Sequence, residues 1–494
     1  MFKRILVANR GEIAVRIVRT CRDMGIEAVA LYEGPDRGSL HVRLADRCAE
    51  LESERGYMDK QAILDLALRT GAEAIHPGYG FLAERPDFIS DCDRAGIVFI
   101  GPPAEAVART QCKADAVAAA RAAGFATPAT SERTYGSGVP SELREEAERL
   151  GYPLIIKSCV GGRGRGSHRA LAAEELEEAV RWAQAEAQAV YGDTQIYLEK
   201  AALPGHSLAV QVLGDNHGNL VHMGEREGSI QLGNQKIIEE SPAPCLRTAD
   251  RSQICGTALD IARLFGIRNA ATVEFLVDGE GRPFFTEIKP RIMTDHPVTE
   301  MVAPRVDLVR EQIRLAAGEP LGLRQQDLGL RGHAMQCVIT AEDPRNGFMP
   351  SPGYLRRVRL PGGPNVRVDT YVYSGCAVPV KYDPILAKVI VWGVDRAECL
   401  QRMRRSLQDF IAIGIPTNLP YLQGVLEHPA VVQGCYDTSL LDRPMPESGQ
   451  DAAYLRDVAV AAAVAFARRD LLAQPGAPPE AASGWHRASR RLPE

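Results

Sequence analysis

The sequence predicts an α/β fold, and three observations carry that expectation. Short apolar runs alternate with helical stretches from residue 3 to about 100. A strand-like run ending in Lys157 opens directly into a glycine-rich loop. Between residues 208 and 290 several strand candidates follow one another around a single helix, which adds an α+β portion.

Ile5-Leu6-Val7-Ala8, Ala28-Val29-Ala30-Leu31, Ala74-Ile75 and Val98-Phe99-Ile100 read as strands, and Gly11 to Met24 and Asp59 to Thr70 as helices. Alternating strands and helices argue for a parallel sheet covered on both faces, so this portion is Rossmann-like. Next comes an Ala-rich helix over 113–123, then loop signals at Thr127-Pro128 and 136–140. The strand Tyr152 to Lys157, a helix from Ala173 to about Val190 and the strand Gln195 to Glu199 suggest a small α/β lid. Ala209 to Leu213, Leu220 to Gly224, Thr272 to Val277 and Pro283 to Ile288 read as further strands, with a helix near 250–265. Leu360-Pro361-Gly362-Gly363 reads as a hairpin turn, and Ala453 to Leu471 as a helix before a Pro/Ala/Gly-rich tail.

The bulk numbers exclude several functions. A formal net charge of −5 argues against a nucleic-acid partner. No run of about 18 apolar residues exists, so no membrane span is expected. The 11 cysteines are scattered without a C-x-x-C pair, a reduced, cytoplasmic pattern with neither a disulfide frame nor a zinc site; each reads as a small buried apolar residue.

Two features carry chemistry. Ile155-Ile156-Lys157-Ser158-Cys159-Val160-Gly161-Gly162-Arg163-Gly164-Arg165-Gly166 places a lysine before glycines whose backbone N–H groups can approach an anion. It is a phosphate loop or a surface turn, and it lacks the P-loop pattern. Val273-Glu274-Phe275 and Phe285-Thr286-Glu287 each set one carboxylate in an apolar strand. They read as ligands for magnesium beside nucleotide phosphates, or as strand-edge acids.

Further segments carry a resemblance. Val7-Ala8-Asn9-Arg10-Gly11-Glu12-Ile13-Ala14, His76-Pro77-Gly78-Tyr79-Gly80-Phe81-Leu82, Gln235-Lys236 and Glu239-Glu240-Ser241-Pro242-Ala243-Pro244 resemble biotin carboxylases. So do His296-Pro297-Val298-Thr299-Glu300, Arg331-Gly332-His333-Ala334 and Ala341-Glu342-Asp343-Pro344, all in the family's order from residue 1 to about 445. The resemblance implies a Rossmann-like N-terminal domain (1–112), an ATP-grasp domain (113–330) with a mobile lid (about 130–203), a mixed C-terminal domain (331–445) and a helical or flexible tail (446–494). It implies that ATP and bicarbonate form carboxyphosphate, with Mg²⁺ or Mn²⁺, and that biotin N1 takes the carboxyl. No Met-Lys-Met sequence occurs. The expected partners are therefore a separate biotin carboxyl carrier protein and carboxyltransferase subunits. Arg16 and Arg19 lie in the region such proteins use to form homodimers.

By the same resemblance, Lys113 and Lys157 hold ATP phosphates, with Gly161, Gly162, Gly164 and Gly166 forming the loop over them. Glu199 and Lys200 sit at the adenine, with Ser207 and Asn234 in the nucleotide site. Glu274 and Glu287 bind the metal. Lys236, Arg291 and Thr294 lie at bicarbonate, and Asp295 is the base.

Departures from the family pattern cluster at the same place. Lys289 stands where the family has Asn, and an ammonium has no lone pair for a metal. Met293, Thr294 and Asp295 replace Gln, Val and Glu; an aspartate is one methylene short, and about 1 Å of misplacement can cost roughly a hundredfold in rate. Val338 replaces the arginine that stabilises the biotin enolate, a loss of about 10²–10³ in rate for one such donor. Alone, Val338 reads as an apolar strand residue. Ser207 and Asn234 each replace a histidine, Leu232 and Gly233 replace basic residues, and Val160 and Arg163 interrupt the glycine loop. Three functions follow: a biotin carboxylase subunit of an acyl-CoA carboxylase, a degenerate paralogue that regulates or scaffolds one, or an ATP-grasp ligase with a non-biotin acceptor.

Overall fold

Five strands near the N-terminus, β1 (Arg4–Val7), β2 (Glu27–Tyr32), β3 (Arg47–Glu50), β4 (Ala74–His76) and β5 (Val98–Phe99), pair in parallel in the order β3-β2-β1-β4-β5. Ile5, Leu6 and Val7 are fully buried because helices cover both faces, as parallel sheets require. The helix Lys60–Thr70 shows its limits in sequence: Asp59 accepts from the Ala62 N–H at its start, and left-handed Gly71 ends it. Strand order reverses between β1 and β4, which opens a crevice at their C-terminal ends. There Asn9 Nδ2 donates to the carbonyls of Pro77 (2.6 Å) and Tyr79 (2.9 Å). Gly78 has φ +62°, and a Cβ on it would lie 2.9 Å from Asn9 Nδ2, so only glycine lets these two segments meet.

The structure is a computed structural model that describes residues 1–442, except 137, 162–165, 202–203, 234, 304–305 and 380, together with 452–467. Strands β6 (Leu154–Ser158), β7 (Ser167–Ala170) and β8 (Ile196–Lys200) form a small antiparallel sheet in the order β7-β6-β8. Under the helices Ser141–Leu150 and Leu176–Tyr191 it has a core of its own, including Leu143, Leu154, Ile156, Val180 and Leu198. The lid expected from the sequence is thus a packed unit; its helix begins with a 3₁₀ turn, Ala173–Glu175.

The main sheet is antiparallel: β9 (Gly205–Gly214), β10 (Leu220–Leu232), β11 (Gln235–Ser241), β12 (Asn269–Asp278), β13 (Pro283–Lys289), β14 (His333–Thr340), β15 (Val366–Thr370) and β16 (Ile385–Gly393). Its order is β13-β12-β9-β10-β11-β14-β16-β15, so strands from beyond residue 331 extend the sheet begun at residue 205. One face buries Leu208, Val210 and Val212 against the helix Thr248–Leu264, and Ile238, Cys337 and Val389 against Arg396–Asp409 and Leu419–Glu427. The other face carries Arg226, Glu274, Glu287 and Val338.

Several expectations need correction. β10 runs through the charged Glu225-Arg226-Glu227 to Leu232, past Gly224 where its apolar pattern stops. Leu360–Gly363 is not a hairpin turn: Arg357–Arg359 pairs with Ile411–Ile413, whereas Val366–Thr370 pairs with β16. Cys48 and Cys435 are exposed rather than buried. By contact, Met1–Met445 form one unit and Pro446–Glu494 a second, in which the helix Ala452–Ala467 is described. Among the described residues no helix is long and apolar enough to cross a membrane.

Candidate active site

The two strand acids are exact cross-strand partners in register: Glu274 on β12 lies opposite Glu287 on β13. Like charges so placed repel, and each carboxylate has its own cation. Lys236 Nζ is 3.2 Å from Glu274 Oε1, and Lys289 Nζ is 2.6 Å from Glu287 Oε2. Burial alone would raise the Glu287 carboxyl, but Lys289, Lys113 and Lys157 outweigh it and bring it down to about 2. Those same lysines show that the structure gathers the expected phosphate-binding and metal-binding groups in one place.

Lys236 reaches Glu274 by lying across Gly228, where a Cβ would come within 2.6 Å of the lysine stem. Lys113 opens the helix Lys113–Ala122, and its Nζ donates to the Gly161 carbonyl at 2.7 Å. Burial pushes its ammonium down to about 8. Lys157 Nζ bonds the buried Glu199 Oε1 at 2.6 Å, and Tyr197 donates to the same carboxylate. Alternation along β8 turns Lys200 the other way, and its ammonium bonds the carbonyls of Gly151 (3.0 Å) and Tyr152 (2.7 Å). Gly161 and Gly166 have φ of +94° and +72°, and the Gly166 N–H donates to Glu186. Ser207 lies opposite Leu276 and donates its N–H to Ser229 Oγ at 2.9 Å. Gly162, Gly164 and Asn234 lie outside the described residues.

Beyond the two acids lies a second polar group. Asp295 is 1% exposed and 3.0 Å from the guanidinium Nε of the fully buried Arg226. Burial would raise its carboxyl, yet the charges of Arg226 and Lys236 hold it well below the usual range. Glu239 behaves oppositely: burial first, then the charge of Asp295, push it well up. One of these two carboxyls is therefore ionised and the other keeps its proton. Arg291 pairs with Glu84, from the segment after β4, and also donates to the Ile292 carbonyl at 3.2 Å. The Thr294 carbonyl accepts from Lys388 Nζ at 3.1 Å.

Val338 lies on this polar face. Its neighbours Cys337 and Ile339 are in the apolar core, whereas Gln336, two residues away, donates to Glu239 at 3.3 Å. Opposite Val338 in register is the fully buried Lys388, also 3.6 Å from Glu12. Arg226, Glu239, Glu84 and Lys388 received no role in the sequence reading. Arg226 lies past Gly224, where the apolar strand pattern ends, so it carried no signal in the sequence, and neither did Glu84 or Lys388. Arg16 is used within the chain, 3.0 Å from Glu300 and 2.7 Å from Asp307, while Arg19 is exposed.

The carboxylates fit a divalent cation. Among the described residues, Glu274 Oε2 and Glu287 Oε1 take no hydrogen bond and belong to facing residues, which suits an oxygen-ligated ion. Lys289 already neutralises one charge of the pair.

Comparison with known proteins covers the chain from residue 1 to residue 443. Residues 1–107 match the family of the biotin carboxylase N-terminal domain. Residues 113–324 match the carbamoyl-phosphate synthase L chain ATP-binding domain, and 336–443 the biotin carboxylase C-terminal domain. Biotin carboxylase 1 of Bacillus subtilis is 42% identical over 449 residues, 90% of this chain and 98% of that protein. A pyruvate carboxylase subunit from Methanothermobacter thermautotrophicus is 40% identical over 445 residues, 90% of each chain. The biotin carboxylase domain dimer of Hydrogenobacter thermophilus 2-oxoglutarate carboxylase, solved with MgADP, ADP and bicarbonate, superposes with a TM-score of 0.86 at 38% identity, covering 90% of this chain and 97% of that one. The chain belongs to the biotin carboxylases, ATP-dependent ligases of the biotin-dependent carboxylases, with their three-domain fold.

Proposed function

We propose that the chain carboxylates biotin on a separate carrier protein, using ATP, Mg²⁺ and bicarbonate, as the biotin carboxylase subunit of an acyl-CoA carboxylase. The observation that carries this reading is the register pair Glu274–Glu287 beside Lys113, Lys157 and Lys236. In this reading Glu274 and Glu287 hold the metal, which when bound neutralises phosphate charge. Lys113, Lys157 and the loop 161–166 grip the phosphates, with Glu199, Lys200, Ser207 and Asn234 toward the nucleoside. Lys236, Arg291 and Thr294 position bicarbonate. Asp295, ionised beside Arg226, takes the bicarbonate proton as an oxygen attacks the γ-phosphorus and the bond to ADP breaks. The carboxyl then passes to biotin N1, which loses its proton as phosphate leaves. The domain limits follow the same reading: 1–112, 113–330 with the lid at about 130–203, and 331–445. The dimer of the Hydrogenobacter relative supports a homodimer here.

Val338 favours a second reading, in which carboxyphosphate forms but its acceptor is not biotin. Steady-state ATP hydrolysis separates them. The first reading expects turnover that needs bicarbonate and rises with free biotin. Bicarbonate-dependent turnover indifferent to biotin selects the second, and no turnover by protein that still binds ATP rejects both. Addition of a carrier and carboxyltransferase with acyl-CoA or pyruvate then identifies the final acceptor.

A further inference from the structure

The sheet face opposite Asp295 carries another polar cluster, one that the proposed reaction does not use. Arg226 turns toward Asp295, so its neighbours Glu225 and Glu227 on β10 turn to the other face. Glu225 Oε1 is engaged there by Arg251 at 2.6 Å and by the Ala243 N–H at 3.0 Å, while its Oε2 makes no hydrogen bond. Glu227 is likewise only partly satisfied, and it alone has a ring nitrogen and a thiol beside it. It is 1% exposed; its Oε1 accepts from Ser229 Oγ at 2.8 Å and lies 2.8 Å from His206 Nδ1, while its Oε2 takes no hydrogen bond from a nitrogen or hydroxyl and the Cys245 thiol is the donor facing the carboxylate. Cys245, from the segment after β11, reaches the same point. One ligand atom from each of His206, Glu227 and Cys245 lies within 4.8 Å of the others.

An imidazole nitrogen, a carboxylate oxygen and a sulfur form a donor set for a borderline-soft ion. Magnesium and calcium take oxygen ligands and would be served better by Glu274 and Glu287. A buried carboxylate oxygen served only by a thiol, a weak donor, is costly, and a cation removes that cost. We propose that His206, Glu227 and Cys245 bind a divalent cation of the zinc class, with water in the fourth position, tying β9 and β10 to the segment that leads into the helix Thr248–Leu264. Binding forms metal–sulfur and metal–nitrogen bonds and releases to solvent the thiol proton and, where His206 is charged beside Glu227, one imidazole proton. In the metal-free protein, burial and then the Glu227 charge push that thiol up, and a bound cation reverses the effect. The three ligands lie in three separate segments, so no cysteine spacing announces them.

Cobalt titration of the full chain in excess Mg²⁺ tests the site. One equivalent of Co²⁺ should produce a thiolate-to-cobalt charge-transfer band that Zn²⁺ displaces. Cys245→Ser should abolish the band with the circular dichroism spectrum unchanged, and His206→Ala should weaken Co²⁺ binding at least about tenfold. Cys112→Ser, at a partly buried cysteine just before the helix Lys113–Ala122 and outside the cluster, should keep the band. A parent protein without the band, or a band that survives in Cys245→Ser, overturns the proposal. If Cys245→Ser does not fold, X-ray absorption of the zinc-loaded parent decides: one sulfur in the first shell supports the site, and a shell of nitrogen and oxygen alone rejects it.

Discussion

Lys289 Nζ lies 2.6 Å from Glu287 Oε2, so one of the two facing carboxylates already has a buried cation bound to it. Burial would drive the Lys289 ammonium toward neutrality, but Glu287, Glu84 and Glu274 raise it instead, so it stays charged at neutral pH. The pair Glu274–Glu287 therefore offers a divalent ion less negative charge than two free carboxylates would. Lys289→Asn should strengthen Mg²⁺ binding to the nucleotide-loaded protein about tenfold, because it removes a competing charge and offers an oxygen. Isothermal titration with Mg²⁺ reads this directly, and an unchanged affinity would mean that the ammonium does not compete with the metal. Lys289→Met leaves Glu287 buried without its closest partner and should lower stability by about 3 kcal/mol in denaturant unfolding.

Arg226 sets the charge of Asp295. It is also hydrogen-bonded to Thr299 Oγ1 at 2.6 Å and Gln211 Oε1 at 3.3 Å, so its orientation is fixed. Arg226→Met should cost about 3–5 kcal/mol of stability. It should also move the acidic limb of the pH–rate profile upward, because Asp295 loses the charge that holds its carboxyl down. A merely structural arginine would lower stability and leave that limb where it was.

These two arrangements mark the limits of what the sequence shows. Glu274 and Glu287 stand out because a lone acid in an apolar strand has few reasons to be there. Glu225-Arg226-Glu227 does not stand out, because three successive charges after Gly224 look like a solvated loop. In the fold each of them finds a separate charged or ring partner, namely Arg251, the buried Asp295 and His206, on alternating faces of β10. Those partners are 26, 69 and 21 residues away, beyond the reach of any local pattern. The false hairpin at Leu360–Gly363 has the same cause. Pro361 and two glycines signal a turn, but not which strands the turn joins, and here the flanking strands pair with distant ones. Conversely, Asp59 and Gly71 bracket their helix by local chemistry alone, and that helix is legible almost to the residue.

Val338 faces the polar side of β14 with Lys388 directly opposite. Val338→Arg should restore a donor on that face and raise the biotin-dependent part of ATP turnover by about a hundredfold. The larger side chain and its proximity to Lys388 should lower the unfolding midpoint by an amount equivalent to about 1–3 kcal/mol. The ratio of rates with and without free biotin is the readout. An increase in bicarbonate-dependent turnover without a change in that ratio would count against biotin as the acceptor.

Glu240 predicts acid sensitivity. It is fully buried and held by His333 (2.5 Å), Arg396 (2.8 Å) and the Tyr436 hydroxyl (2.6 Å). Burial would raise its carboxyl, but His333 and Arg396 win and bring it from 4.5 to about 2. A depressed carboxyl contributes stability that is full above its unfolded value and is lost as pH falls through the folded one. The loss should therefore run from about pH 5 to about pH 2 and amount to roughly 3 kcal/mol. Urea unfolding across that range should show the slope in the parent protein. Glu240→Gln should be less stable at neutral pH with a shallower slope; an equal slope would assign the acid sensitivity to other carboxylates such as Glu287.

Lys113 predicts a dependence at the alkaline end. Burial brings its ammonium down to about 8, with Lys289 and Lys157 adding to the effect and Glu287 and Glu84 opposing it. A phosphate placed against it favours the charged form. Nucleotide binding above about pH 8 should then take up a proton, and affinity should fall by up to about tenfold per pH unit there. At about pH 7 the lysine is already charged, so proton uptake should be near zero. Titration calorimetry in two buffers of different ionisation enthalpy measures the uptake directly. Lys113→Arg keeps the charge at every accessible pH and should flatten the profile. Uptake that is absent at high pH in the parent, or that persists in Lys113→Arg, would place the titrating group elsewhere and remove Lys113 from the phosphate site.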